Sequence, residues 1–316
     1  MDSAPEPSRP DVSVIVVNYR SAELTLKALR DARDSAGALA IEEIIVDGAS
    51  GEEEVQLLRA NRPEATIVAL PENRGFAAGN NAGIGRARGR HLLLLNPDAF
   101  AHDGAVATLA THLDRNPATG LAAPLLFNPD GSPQDNVFKR FPNLLTLFVD
   151  FCAPVAFLLR GRRLDPHNVA REQLHQPTEI AHAIGAALLV RAQAAREAGS
   201  LDEGFFLYLE ETEWQQRIAE AGWRREAVPA ARFTHVGGAS SAGSFPLASP
   251  HYLDSVRRYY PHPRAAMATI RVAATISLLS LRIAAALGLG SERTHELKPA
   301  FAELLELLRR DRHPLR

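Results

Sequence analysis

The chain has 316 residues, 46% of them hydrophobic, and a formal net charge of −2 at pH 7. This length and apolar content suffice for one large core and a smaller extension. A net charge so close to zero provides no global attraction to nucleic acid, which excludes that class of partner. The single cysteine, Cys152, excludes an internal disulfide and fits a reducing compartment.

The N-terminal segment is rich in proline and acidic side chains and contains no apolar run. It predicts a disordered leader over 1–10 and not a secretory signal peptide. No stretch of the chain reaches the 18 uninterrupted apolar residues that are typical of a membrane-spanning helix. The sequence therefore predicts a cytoplasmic protein that is at most peripheral on the inner face of the plasma membrane.

From residue 11 onward, strand patterns alternate with helix patterns. Such alternation predicts a doubly wound α/β sheet with mostly parallel strands. The predicted strands cover 12–17, 44–47, 67–70, 92–95, 121–126 and 183–190, and the predicted helices cover 22–34, a segment from 52, a segment near 82–88, and 103–113.

The most informative stretch is the run LLLLNPDAF at 92–100. Four leucines predict a strand that is buried on both faces, and the proline that follows ends it. Asp98 is thereby left at the carboxyl edge of the sheet, where open α/β folds bind ligands. A carboxylate there suits a divalent cation that neutralises a diphosphate. An Asn-Pro-Asp turn that caps the next helix explains the same residues equally well.

Polar residues also follow the other predicted strands. Asn18 and Tyr19 follow the first strand, and Asp47 follows the second, where a carboxylate either accepts hydrogen bonds from a nucleoside or caps a turn. The loop at 73–81 combines asparagines and glycines, which allow close approach to a ligand, with Arg74, which can meet a phosphate. The glycines that follow it resemble a dinucleotide fingerprint but precede a strand, which disfavours a hydride-transferring dehydrogenase.

A second acidic site lies at 205–214, where an aromatic run precedes Glu210 and Glu211. Acidic side chains at a helix N-terminus interact favourably with the helix dipole. Adjacent carboxylates beside aromatic rings can also position a general base near a sugar. Both interpretations stay open on composition alone. His235, which precedes two glycines, is either a structural histidine or one that faces a ligand.

Two segments outside the alternating pattern are apolar. Residues 144–159 predict either a buried pair of helices or a flap for a hydrophobic substrate. The region 241–316 predicts helices, and the spacing of Arg264, Arg271 and Arg282 places them on one helix face. A narrow basic stripe on an apolar helix suits a membrane interface, the body of the protein or a second subunit. Peripheral membrane contact and a homodimer through these helices are therefore alternative expectations.

Taken together, the motifs resemble those of the inverting GT-A glycosyltransferases of family 2, especially the rhamnosyltransferase-like branch. The similarity covers about residues 11–240, in the order of the family. It implies a mixed α/β sheet flanked by helices, an acceptor-side insertion over 127–180 and a C-terminal helical extension. The matching runs are VSVIVVNYR (12–20), IIVDGAS (44–50), ENRGFAAGNNAGI (72–84), LLLLNPDA (92–99), FFLYLEETEWQQRIAEAGW (205–223) and HVGGAS (235–240).

The resemblance also implies roles for individual residues. Asp47 would bind the nucleotide base, and Asp98 would bind the metal and the diphosphate with help from His235. Glu211, with Glu210 beside it, would be the catalytic base. The implied cofactor is a divalent cation, Mg²⁺ or Mn²⁺. The other residues expected to bind the donor are Asn18, Tyr19, Asn73, Arg74, Gly75, Asn80, Asn81, Asn96, Trp214 and Arg217.

Three positions depart from the family pattern. Gly48 stands where the family commonly has asparagine. Asn96 stands where many relatives carry a first aspartate, which predicts a modest cation affinity. Glu211 replaces the aspartate that usually follows the glutamate, so the carboxyl of the base must be repositioned by about the length of a carbon–carbon bond.

The implied function is inverting transfer of a sugar from a nucleoside-diphosphate donor to a hydroxyl of a glycan or polyprenyl-linked acceptor, in the synthesis of cell-envelope polysaccharide. dTDP-rhamnose is the expected donor. Two alternatives are a nucleotidyltransferase of related fold and a sugar-nucleotide-binding module without catalysis. A nucleotidyltransferase would have a glycine-rich loop with a lysine after the first strand, where this chain has Asn18-Tyr19-Arg20.

Overall fold

The computed structural model describes residues 9–159, 168–169, 174–237, 249–288 and 292–310. Most of the predicted leader, the domain boundary predicted at 240 and the last six residues lie outside these ranges.

One half of the central sheet is parallel. β1 (Val12–Asn18) pairs in parallel with β2 (Ile41–Asp47) on one side and with β4 (His91–Leu95) on the other, and β3 (Thr66–Ala69) extends the sheet beyond β2. All five residues of β4 are buried, as the leucine run predicted. The carboxyl ends of β1, β2 and β4 therefore meet at one edge of the sheet.

The other half of the sheet is mixed. β10 (Ala187–Arg191) runs antiparallel to both β4 and β6 (Thr119–Phe127). β11 (Arg224–His235) is parallel to β6 and antiparallel to β5 (Ala99–Ala101). The mixed sheet implied by the resemblance is thus confirmed, whereas hydrophobic runs alone could not show the direction of β10. The order is β3-β2-β1-β4-β10-β6-β11-β5, with β8 (Thr178–Glu179) on β11 and a separate ribbon of β7 (Phe138–Lys139) and β9 (His182–Ala183).

The helix after β3 begins earlier than predicted, at Gly75 and not near residue 82. Its glycines serve close packing of this helix against β1. A Cβ atom built on Gly83 would lie 2.4 Å from Cγ2 of Ile15, and one on Gly79 would lie 2.7 Å from Cγ1 of Val17. The helices that flank the sheet are α1 (Ala22–Asp34), α2 (Glu52–Asn61), α3 (Gly75–Ile84), α4 (Ala105–Arg115), α7 (Ala192–Ala198) and α8 (Glu210–Glu220).

A second core joins the insertion to the C-terminal region. Phe151 of the insertion is fully buried in it, together with Ile270 and Leu304 of the C-terminal helices. Residues 144–159 form two helices, of which the first is buried in this core, as one of the two interpretations predicted, whereas the second has no buried residue. The helices of this core are α5 (Leu144–Phe151), α6 (Ala153–Leu159), α9 (Pro250–Tyr259), α10 (Pro263–Ala286) and α11 (Glu292–Arg310).

The predicted basic stripe on α10 is only partly present. Arg264 and Arg282 are exposed, but Arg271 donates a hydrogen bond of 3.0 Å to the carbonyl of Leu308 and so lies against α11. At Arg271 the stripe therefore packs on the body of the protein, which is one of the alternatives that sequence analysis left open, because helical spacing cannot reveal where a neighbouring helix packs. By length and composition, α10 passes the test for a membrane-spanning helix, which buried helices of soluble proteins also pass.

Phe151 and Phe157 allow a direct test of the second core, because they lie on adjacent helices and are 0% and 82% exposed. Replacing a buried phenylalanine by alanine removes its apolar contacts and leaves a cavity, so we expect Phe151→Ala to lower the free energy of unfolding by about 3–5 kcal/mol. Phe157→Ala should change it by less than about 0.5 kcal/mol. Urea denaturation measures both, and equal effects would contradict the described packing.

Candidate active site

Asn18 ties together the loops that follow β1 and β2. Its Nδ2 donates to Oδ1 of Asp47 at 2.8 Å and to Oε2 of Glu54 at 3.0 Å, and its Oδ1 accepts from the hydroxyl of Thr25 at 2.8 Å. The side chain is fully buried. Asn18 therefore positions Asp47 and presents no surface of its own to a donor.

Asp47 and Tyr19 differ in what they present to a ligand. Asp47 is 1% exposed, and its Oδ2 accepts the backbone N–H of Ser50 at 2.9 Å. Tyr19 is 41% exposed, with the guanidinium of Arg20 lying 5.3 Å from its ring centroid. Base recognition by Asp47 stays a prediction, and Tyr19 is the more accessible of the two.

The polar side chains of the loop at 73–81 bind the segment that precedes α8. Arg74 forms a 2.7 Å ion pair with Glu203. The Asn81 side chain donates to the carbonyl of Leu201 and accepts its N–H, both at 2.9 Å. Asn80 is buried and donates to the carbonyl of Phe76 at 3.0 Å. Arg74 and Asn81 thus hold the segment before α8, and Asn80 bonds within α3; donor binding by these three residues stays a prediction.

Gly75 has a backbone conformation that other residues rarely adopt, with φ of +85°. A Cβ atom at this position would lie 2.1 Å from the carbonyl oxygen of Phe206, and the N–H of Phe76 donates to that oxygen at 2.9 Å. Gly75 thus permits the contact between α3 and the segment at 201–209. Asn73 stays exposed at the sheet edge, where its Oδ1 accepts the N–H of Gly75 at 3.0 Å.

Helix α9 holds the same segment from the other side. Arg258 forms two hydrogen bonds with the carboxylate of Asp202, at 2.7 and 2.6 Å. The Ser255 hydroxyl donates to the carbonyl of Leu207 at 2.9 Å, and the ring of Phe206 stacks on His251. The C-terminal region therefore contributes to the site, although none of its residues was predicted there.

The segment ends in two consecutive left-handed residues, Tyr208 with φ of 76° and Leu209 with φ of 65°. Such conformations cost energy outside glycine and are concentrated at functional sites. They direct the chain into α8, whose first residues are Glu210 and Glu211. Burial raises the pKa of Glu211, opposed by its own backbone N–H, by Lys139 and by the N–H groups of Gly185 and Thr212.

Asp98 and His235 lie together at the carboxyl edge of the sheet. Nε2 of His235 is 3.4 Å from Oδ1 of Asp98, and its Nδ1 is 2.9 Å from Oε1 of Gln134. Burial opposes ionisation of Asp98, but the hydrogen bond and the charge of His235 outweigh it and hold the pKa of the carboxyl below its usual value. Gln134, which sequence analysis missed, orients the imidazole so that Nε2 faces the carboxylate.

These two side chains fit a divalent cation whose coordination shell is completed by other groups. Adjacent ligands of an octahedral cation with bonds of about 2.1 Å lie about 3.0 Å apart, close to the separation of Oδ1 and Nε2. A ligand histidine also typically donates its other N–H to a carbonyl, as His235 can to Gln134. Over the described ranges, no group of three His, Cys, Asp or Glu side chains could hold a metal.

A cavity of about 430 Å³ joins the two halves of the site. His235 and Asn96 line it from the cation side, and Glu210 and Glu211 line it from α8. Tyr208, from the aromatic run before α8, also lines it, and three residues that no local sequence pattern marks complete it: Lys139, Asp150 and, on α9, Tyr252.

Trp214 and Arg217 do not reach this cavity. Trp214 is fully buried, and its indole N–H donates to the carbonyl of Gly199 at 2.7 Å. Arg217 forms a bidentate pair with Glu213 and donates to the carbonyl of Ser200 at 2.8 Å. The prediction that they bind the donor is corrected: Trp214 packs in the core, and Arg217 anchors the loop before α8.

The model of the family described as "Glycosyl transferase family 2" matches residues 13–198, more than half of the chain. The chain belongs to glycosyl transferase family 2. The motif set therefore predicted the family correctly.

Curated relatives of this chain include two rhamnosyltransferases. The chain is 28% identical over 195 residues to N-acetylglucosaminyl-diphospho-decaprenol L-rhamnosyltransferase of Mycobacterium tuberculosis, a match covering 55% of this chain and 62% of the relative. It is 22% identical over 197 residues to rhamnosyltransferase WbbL of Escherichia coli, covering 60% and 71%. The match to the mycobacterial protein thus spans less than two thirds of that relative.

Solved structures confirm the GT-A fold. The mannosyltransferase PcManGT from Pyrobaculum calidifontis, in complex with GDP-Man and Mn²⁺, superposes with a TM-score of 0.56 at 18% identity, covering 96% of this chain and 88% of that one. GalNAc-T7 with UDP, GalNAc and Mn²⁺ gives a TM-score of 0.53 at 15% identity, covering 78% and 48%.

Replacing Asp98 tests the cation site. We expect Asp98→Ala to reduce the enhancement of nucleoside-diphosphate binding by Mn²⁺ roughly tenfold or more, because even outer-shell partners of metal ligands change metal affinity 10–100-fold. Calorimetric titration with and without Mn²⁺ measures it. The exposed Asp103, five residues along the chain, provides the matched control Asp103→Ala. An equal enhancement in Asp98→Ala and the parent would place the cation elsewhere.

Proposed function

We propose that this glycosyltransferase transfers a sugar, with inversion, from a nucleoside diphosphate to a hydroxyl of an acceptor. The observation that carries the proposal is the shared cavity, which places Glu211 in the same space as His235 and Asn96. A donor whose diphosphate lies near Asp98 would then direct its anomeric carbon toward Glu211.

Glu211 supplies the proton acceptor for this reaction. Its carboxylate takes the proton of the acceptor hydroxyl while the hydroxyl oxygen forms a bond to the anomeric carbon. The bond between that carbon and the diphosphate oxygen breaks, and its electron pair leaves with the nucleoside diphosphate. Asp98 and His235 are the residues that would hold Mg²⁺ or Mn²⁺, which when bound neutralises the departing diphosphate. One base and one in-line attack suffice, so no covalent intermediate with the enzyme is needed.

The names of the relatives support rhamnose and a lipid-linked acceptor. Two of them are rhamnosyltransferases, and the mycobacterial name specifies an acceptor with a diphosphate and a decaprenol chain. We therefore propose dTDP-rhamnose as the donor and a glycan or polyprenyl-linked sugar of the cell envelope as the acceptor. The division into a catalytic domain over 11–240, with its insertion over 127–180, and a C-terminal region over 241–316 is part of the same proposal.

An exposed apolar stripe on α10 supports contact with a membrane that carries such an acceptor. Val272, Ile276, Leu279 and Ile283 are 41–58% exposed and recur at the spacing of one helix face. α10 contains three arginines and no acidic residue, so its charge complements anionic lipid. We propose that this stripe, and not the arginine row alone, lies in the headgroup layer, with the protein peripheral on the cytoplasmic side.

Glu211→Gln tests the base. The amide keeps the shape of the side chain but cannot accept the proton, so we expect turnover to fall by roughly two or more orders of magnitude while donor binding is retained. Glu220→Gln, at the exposed end of the same helix, should behave like the parent. Rhamnosyl transfer and donor titration measure the two effects. A Glu211→Gln enzyme that turns over normally would remove the proposed base.

Replacing the four stripe residues of α10 by serine tests the membrane contact. We expect the variant to lose flotation with liposomes that contain phosphatidylglycerol, because interfacial binding scales with buried apolar area, while donor hydrolysis persists. Leu57→Ser is the control, since Leu57 is 41% exposed on a distant helix. Unchanged flotation would contradict the proposal. A parent that is dimeric in size-exclusion chromatography and a variant that is monomeric would assign the stripe to a homodimer.

A further inference from the structure

Glu210 is an unusual acidic residue because it is nearly inaccessible and one of its two carboxyl oxygens has no hydrogen-bond partner among the described residues. It is 3% exposed, and its Oε2 atom has no hydrogen-bond partner among the described residues and almost no contact with solvent. Within those same ranges it forms no ion pair with a lysine or arginine. An ionised oxygen in such a place would lose its hydration without compensation, which strongly disfavours the charged form.

Glu211 has a nearby cation that Glu210 lacks. Lys139 on β7, together with backbone N–H groups that include that of Gly185, favours the charged form of Glu211. For Glu210, burial and then the charge of Glu211 raise the pKa well above its ordinary value, against weaker opposition from nearby backbone N–H groups. The other titratable groups that line the cavity are Asp150 of α5, His182 of β9, Tyr208, His235 of β11 and Tyr252 of α9.

We infer that Glu210 remains protonated during turnover and acts as a positioning residue, which leaves Glu211 as the single negative charge of the pair. Two adjacent carboxyl groups in one buried site cannot both ionise readily, and their different surroundings decide which of them does. This inference rests on the proposed role of Glu211 as the base.

If Glu210 must stay protonated, loss of its proton limits activity at high pH. Once the pH passes the pKa of Glu210 in the folded protein, a second negative charge forms beside Glu211 at the start of α8. That charge opposes the ionised base and disturbs the strained segment that holds it. Glutamine has nearly the same shape and cannot ionise, so Glu210→Gln removes the alkaline limit.

The proton on Glu210 also makes the stability of the folded protein depend on pH. Because the folded-state pKa of Glu210 is raised, the folded protein retains a proton that the unfolded chain has lost. The contribution of Glu210 to the free energy of unfolding is therefore complete below the pKa that Glu210 has in the unfolded chain. It is lost as the pH rises through the pKa that Glu210 has in the folded protein. The gain in melting temperature from Glu210→Gln should grow with pH from about 4.5, the ordinary value for a glutamate, and then level off.

The experiment compares kcat against pH, and the melting temperature against pH, for the parent, Glu210→Gln, Glu211→Gln and Glu220→Gln. We expect Glu210→Gln to lower kcat at neutral pH by less than about tenfold and to lack the alkaline decline of the parent. Glu211→Gln should be impaired at every pH, and Glu220→Gln should follow the parent in both measurements.

Two results would overturn the inference: a Glu210→Gln enzyme with an unchanged alkaline decline, or a melting-temperature gain that does not grow with pH. The melting temperatures require no substrate, so they test the proton on Glu210 even where transfer is not detected. Normal turnover by Glu211→Gln would instead overturn the proposed base, whatever the melting temperatures show.

Discussion

The position of the proposed catalytic base depends on a strained backbone that the rest of the structure holds in place. Tyr208 and Leu209 both adopt left-handed conformations, each at a cost of order 1–3 kcal/mol, immediately before α8 begins. Contacts from α3 on one side and α9 on the other hold the segment at 201–209. The loop at 73–81 and the C-terminal region thus both position this segment. Through it they present Glu210 and Glu211 to the cavity.

Each carboxyl of the site has different surroundings, which suit it to a different role. Asp98 is stabilised as an anion by His235, which suits a group that binds a cation. Glu211 has Lys139 and backbone donors nearby, whereas Glu210 has backbone donors but no cation that lowers its pKa. Because Asp98 and Glu210 are themselves buried, these differences are weakly screened and can separate a ligand, a base and a neutral acid within one site.

Sequence analysis was most successful where local pattern and burial coincide. The leucine run at 92–95 correctly predicted a buried strand with Asp98 at its carboxyl end, and the motif set correctly predicted the family and the fold. Sequence analysis could not predict the contacts of side chains whose partners lie far along the chain. Arg74 and Asn81 are as polar as a donor site requires, but their contacts to residues 201–203 exist only in the folded protein. Trp214 and Gln134 show the same limit. Trp214 was predicted to bind the donor but is buried in the core, and Gln134 was not predicted but contacts His235.

The claim at the centre of this account is that one carboxylate base in a shared cavity makes the transfer inverting. The anomeric configuration of the product tests it most directly. An NMR spectrum gives that configuration through the one-bond C1–H1 coupling constant of the transferred sugar. The account predicts a glycosidic bond with the anomeric configuration opposite to that of the donor. Retention of the donor configuration would contradict it, since retention requires either a second displacement or attack from the face of the leaving group.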